Sequence, residues 1–108
     1  QLIHERNLKT DIGREVQAMA QRVGVEAYAR QQSAILNRPD FRSVLQVIAV
    51  PTLIGVGDSD VLTPPSEAEL MHAAIAGARL HVFQECGHLP PMEAHRETSE
   101  VLRAWLTR

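Results

Sequence analysis

The chain has a single cysteine, Cys86, among its 108 residues. One thiol excludes an internal disulfide, and the scarcity fits a reducing, cytoplasmic compartment. No apolar stretch approaches the roughly 20 residues that span a bilayer, so no membrane helix is expected. Neither sign of charge is in excess: 11 Lys and Arg against 13 Asp and Glu leave a net charge of −2. That balance offers nothing to hold nucleic acid or an anionic membrane, and neither is expected as a partner. Repeats and low-complexity tracts are absent. The chain opens Gln1-Leu2-Ile3-His4, without an initiating Met or a basic-then-apolar leader. The expectation from that opening is a chain cut from something longer. What is present, 44% hydrophobic and 22% charged residues, is the composition of one small globular domain.

Two regions differ in character, with the change near residues 37–51. In the first, Leu8, Ile12, Val16, Met19 and Val23 recur at intervals of three and four, one face of a helix. Gly24 interrupts the pattern, and Val25, Tyr28, Gln32 and Ile35 resume it. Pro39 ends the run by pushing Arg38 out of the helical region. Asp40 is then placed to cap a short helix reaching Gln46, with Val44 and Leu45 turned inward. Residues 1–46 are therefore read as a helical segment.

From residue 47 the style changes. Thr52-Leu53-Ile54-Gly55-Val56-Gly57 is apolar on both faces, the pattern of a parallel strand covered above and below. Thr63-Pro64-Pro65 opens a helix, with Thr63 as its cap and Leu70, Met71, Ala74 and Ile75 as its buried stripe. Gly77 stops it. Residues 79–84 form a second strand, and a last helix starts near Pro91 with Thr98, Val101, Leu102 and Trp105 spaced for packing. Strand, helix, strand, helix is an α/β arrangement, and its two strands run parallel. Parallel strands point their carboxyl ends at one sheet edge, where open α/β sheets bind ligands. Asp60 follows the first strand by three residues and His88 the second by four. An acid and a histidine are thus expected at one edge.

Singly, each residue has an ordinary reading: Asp60 as a strand-terminating turn residue, His88 as a solvated loop histidine. Gly87 favours the second site role, since it lets the backbone turn sharply and throw the His88 ring over the edge. The longer patterns are more specific. Residues 48–54 with Gly57-Asp58-Ser59-Asp60 and Leu62-Thr63-Pro64-Pro65 resemble the penultimate strand and acid loop of α/β-hydrolases. Cys86-Gly87-His88-Leu89-Pro90 with Met92-Glu93 is similar to that family's histidine loop and last helix. The lead-in from Gln31 to Asp40 resembles the stretch joining the lid helices to the core.

The resemblance implies the β-α-β-α C-terminal portion of an α/β-hydrolase sheet over residues 47–108, preceded by the end of a lid over residues 1–46. It implies catalytic roles for Asp60 and His88, because the family's acid closes a Gly-x-x-Asp pattern; Asp58 is then a loop-shaping residue. The implied chemistry is acyl transfer, with His88 relaying the proton of a serine and Asp60 holding the imidazole. A small-molecule carboxylic ester or lactone is the implied substrate, and no cofactor is expected. The family's nucleophile elbow, Gly-x-Ser-x-Gly, is missing. Of Ser33, Ser43, Ser59, Ser66 and Ser99, only Ser59 follows a glycine at the right distance, and Val61 stands where the second glycine belongs. Residues 1–108 alone are therefore expected to be inactive.

Other readings remain open. Gly57-Asp58-Ser59 resembles the tripeptide that names another lipase group, with Glu85 as its acid. That group also needs an asparagine between nucleophile and histidine, and Asn7 and Asn37 both lie upstream. Cys86 adjoins His88, but neighbouring side chains diverge, and a packed thiol is expected. His88, Glu93 and His95 match no zinc spacing. The competing class is a non-catalytic hydrolase-like binding or assembly module. Two parallel strands are too few to stand alone, so a homo-oligomer or exchanged dimer is expected to bury the exposed sheet edges.

Overall fold

The structure is a computed structural model that describes residues 2–108. A single 3-10 turn, Glu5–Asn7, begins where the His4 imidazole accepts the Arg6 amide at 3.0 Å. Helix α1 spans Asp11–Leu36 and is broken at Gly24, whose φ of 80° and ψ of 165° lie where only glycine sits without strain. Its apolar face is thinly covered: Val25 is 83% exposed and Tyr28 59%. Asn37 ends α1, its side-chain amide donating back to the Ser33 carbonyl at 2.8 Å. Asp40 then accepts the Arg42 amide at 2.9 Å and starts a 3-10 helix over Arg42–Val47. Leu45 packs inward there. Val44 does not, at 43% exposure, because three residues per turn place it on another side of so tight a helix.

Strands β1 (Leu53–Gly57) and β2 (Arg79–Phe83) pair in parallel, in register from Leu53 opposite Arg79 to Gly57 opposite Phe83. Helix α2 (Pro65–Ala74) crosses between them. The core lies on one face of this sheet, where Ile54 and Val56 meet Ala68 and Ile75, flanked by Ile48, Leu80 and Val82. Burying each large side chain contributes about 1.5–3 kcal/mol. The other face is covered less completely than a strand apolar on both sides would suggest, and Gly55 is exposed. On that face the His81 imidazole lies 2.8 Å from the Glu97 carboxylate. That pair joins β2 to helix α4 (His95–Leu106).

Two features of α2 depart from expectation. Pro65, not Pro64, takes the first helical position, and Thr63 makes no capping bond because its hydroxyl is engaged by Asp60. Leu70 is 61% exposed. At 100° per residue it lies roughly opposite Ala68, the residue that faces the sheet. The last helix is also two helices, a short α3 (Pro90–Glu93) and α4, separated by Ala94 at φ −139° and ψ 54°. On α4, Leu102 is 45% exposed while Val101 and Trp105 are half-buried. Among the described residues no helix is long and apolar enough to cross a membrane.

Candidate active site

Strands β1 and β2 end side by side, and the turns that leave them are tied to each other. The Asp58 amide donates to the Phe83 carbonyl and the Ser59 amide to that of Cys86, both at 2.8 Å. In return the Asp58 carboxylate accepts the Cys86 amide at 3.1 Å and the Ser59 hydroxyl at 2.9 Å. Asp58 thus shapes the loop and does not touch His88. The turns approach so closely that a Cβ on Gly57 would lie 2.1 Å from the Gly87 carbonyl oxygen. Only a residue without a side chain fits there.

On this shared frame the Asp60 and His88 side chains meet. Nδ1 of His88 is 2.9 Å from Oδ2 of Asp60. Asp60 is 7% exposed, and its Oδ1 accepts the amides of Leu62 and Thr63, each at 3.0 Å. The Thr63 hydroxyl donates to Oδ2 at 3.1 Å. Burial pushes the Asp60 carboxyl up, but bonds from the Thr63 amide, His88, the Thr63 hydroxyl and the Leu62 amide outweigh it and hold the group below its ordinary value. An ionised carboxylate only accepts, so Nδ1 carries the proton facing it. The neutral ring then keeps its lone pair on Nε2, which has no hydrogen-bond partner among the described residues. The His88 side chain is 35% exposed, at a shallow concavity that Gly55, Thr63 and Met71 also line. The arrangement is an oriented imidazole with a free basic nitrogen.

Glu93 is the site residue that sequence reasoning passed over, considering it only as a metal ligand and as part of the last-helix pattern. It is 8% exposed. Its carboxylate accepts the backbone amides of His4 (2.6 Å), Gly87 (3.0 Å) and Leu89 (3.1 Å) and the Asn7 side-chain amide (3.2 Å). Burial raises its pKa, yet these bonds prevail and hold it below the ordinary value. A glutamate in the first turn after Pro90-Pro91, able to reach back to the amide that precedes the helix, was the available signal. Nothing local revealed that residues 2–7 fold onto the same carboxylate.

That packing also corrects the role expected of Gly87. Its backbone is not left-handed; the non-glycine residue with positive φ is Glu85, at 49°. Gly87 is needed because a Cβ would lie 2.8 Å from the Ile3 Cα and the Leu2 carbonyl. The His88 amide donates to that Leu2 carbonyl at 2.7 Å.

The rival groups are occupied elsewhere. Ser59 hydrogen-bonds Asp58, and Glu85 pairs with Arg6 at 2.9 Å. Cys86 is fully buried, and burial, followed by the adjacent Glu93 charge, pushes its thiol up to about 12. A thiol so hard to ionise is a poor nucleophile. His95 is exposed. No group of three His, Cys, Asp or Glu side chains suited to a metal occurs among the described residues.

No family model matches the chain. It is 33% identical over 90 residues to a pimeloyl-[acyl-carrier protein] methyl ester esterase of Neisseria meningitidis, covering 83% of this chain and 28% of that protein. In structure it resembles a thermophilic esterase from Thermogutta terrifontis, with a TM-score of 0.91 and 30% identity over 98% of this chain and 40% of the other. It also resembles an esterase from Exiguobacterium antarcticum, with a TM-score of 0.65 and 41% identity over 71% of this chain and 29% of that one. The chain spans well under half the length of the relatives it matches.

Proposed function

The chain belongs to the α/β-hydrolase family and matches its C-terminal portion; on that premise we propose that Asp60 and His88 are the acid and the base of a serine-type ester hydrolase. The observation that carries this reading is the 2.9 Å contact between His88 Nδ1 and Asp60 Oδ2, with Nε2 left unpartnered above the sheet edge. Nε2 would take the proton of a serine hydroxyl as that oxygen attacks the ester carbon, then return it to the leaving alcohol. Asp60 would hold the tautomer and stabilise the imidazolium formed in between. No serine hydroxyl of the described residues bonds the His88 ring, so the nucleophile is assigned to a part of the protein outside residues 1–108. By the same reading residues 1–46 are the end of a lid. A carboxylic ester or lactone of small size is the proposed substrate, by analogy with the esterases that the chain resembles.

The test uses the protein that carries these residues behind its nucleophile-bearing region. It should hydrolyse p-nitrophenyl butyrate and be labelled on a serine by a fluorophosphonate. Asp60→Asn and His88→Ala should each lower kcat by about four orders of magnitude. A labelled protein that stays fully active as His88→Ala would reject the assignment. Absence of both turnover and labelling would favour the non-catalytic module.

A further inference from the structure

The mechanism above leaves one buried ionisable side chain without a part. Glu93 meets four N–H donors, about as many as a carboxylate has lone-pair directions. They come from two separate stretches of chain. His4 and Asn7 belong to the first turn of the molecule; Gly87 and Leu89 flank His88 on either side. The amide between them, that of His88, donates at 2.7 Å to the Leu2 carbonyl. Leu2 lies two residues before His4, whose own amide Glu93 holds at 2.6 Å. Three consecutive amides, 87 to 89, are therefore oriented either by Glu93 or by the segment it anchors.

Peptide units are planar, so orienting three successive amides leaves little freedom in the φ and ψ of residues 87 and 88. Those angles set the direction of the His88 Cα–Cβ bond. We propose that Glu93 is the positioning residue of the His88 turn: its contacts at 87 and 89 fix the peptide planes that aim Nδ1 at Asp60 and turn Nε2 toward the open side. The kinetic consequence rests on the hydrolase reading; the geometric one does not. A neutral packing role is a distinct alternative. Glutamine would fill the same volume, but its NH2 group would face amide N–H groups that need an acceptor.

The experiment separates these outcomes. In the 108-residue chain with 15N-labelled histidine, the His88 Nδ1 proton should resonate far downfield, as a proton shared with a carboxylate does. Glu93→Gln should move that resonance upfield or broaden it by exchange with water, and Glu93→Asp should do so less. In the nucleophile-containing protein, Glu93→Gln should lower kcat about a hundredfold and leave KM within about twofold, the pattern of a misplaced base. A folded Glu93→Gln chain with an unchanged ring proton would overturn the proposal, as would an unchanged kcat in a protein that His88→Ala inactivates. If neither variant folds, the unsubstituted chain decides. The Gly87 and Leu89 amide protons should then shift with the midpoint of the Glu93 carboxyl carbon, and the His88 ring proton should show a step at that midpoint besides the one it shows at the midpoint of Asp60, which it touches. A ring proton indifferent to that midpoint overturns the proposal. An active His88→Ala protein would defeat the hydrolase reading alone, and the resonance of His88 would still judge Glu93.

Discussion

Three carboxylates at the site, Asp58, Asp60 and Glu93, behave alike for one physical reason. Each is pushed up by burial and pulled down further by hydrogen bonds, so each lies below its ordinary value. For Asp58 the donors include the Cys86 and Glu85 amides and for Glu93 those of His4, Gly87 and Leu89. A depressed carboxyl binds fewer protons folded than unfolded. Its stabilisation is therefore complete above the unfolded value and is lost as pH falls through the folded one. The ordinary values are 3.8 for Asp and 4.5 for Glu. The urea midpoint followed by circular dichroism should thus be level between about pH 6 and pH 8 and fall progressively below about pH 4.5. Glu93→Gln should flatten the acid limb, since it removes one titrating group; an equally steep limb would show that Glu93 does not contribute.

At the scale of elements, what matters is how two strand ends are held at one spacing. The parallel register places Gly57 opposite Phe83, so the two loops leave the sheet level with each other. Gly57 then lies beneath the backbone of residues 86 and 87, with no movable side chain between. Gly57→Ala must part the acid loop from the histidine turn, and should destabilise by about 3 kcal/mol, the upper end of overpacking effects. Gly55→Ala is the control, because its nearest neighbour is the Phe83 side chain at 3.3 Å and not backbone, so that a shift of a few tenths of an ångström suffices. Its effect should be under about 1 kcal/mol. Denaturant titration of both variants measures the difference, and equal midpoints would contradict the close approach of the loops.

For the molecule as a whole, the sheet edges are open. The sheet has two strands in the order β1-β2, and neither outer edge pairs with a further strand among the described residues. Leu36 and Val47 are 84% and 76% exposed, and Val25 on α1 is similarly bare. An unpaired sheet edge and uncovered apolar side chains each favour association with another chain. Residues 1–108 expressed alone should therefore form a homo-oligomer or exchanged dimer. Light scattering at micromolar concentration should give a mass above the 12.0 kDa of one chain, and a compact monomer would count against it.

Much of this was legible without coordinates. The apolar run read at 52–57 and the strand read at 79–84, observed as Leu53–Gly57 and Arg79–Phe83, could be read because a buried strand needs few polar atoms and is bounded by turn residues. From parallel strands alone, Asp60 and His88 were expected at one edge, since strand direction determines where both following loops emerge. The break in α1 was visible in Gly24. Leu70 and Leu102 were assigned inward because periodicity reports which residues share a helix face, not which face a neighbour covers. The roles of Glu93 and Gly87 were decided by tertiary structure alone. Both depend on residues 2–7 lying across the histidine turn, a contact between chain segments more than 80 residues apart. Local pattern carries the direction of a strand and the identity of the groups at its end. Only folding brings a distant carboxylate and a distant segment against those groups and so determines where the imidazole points.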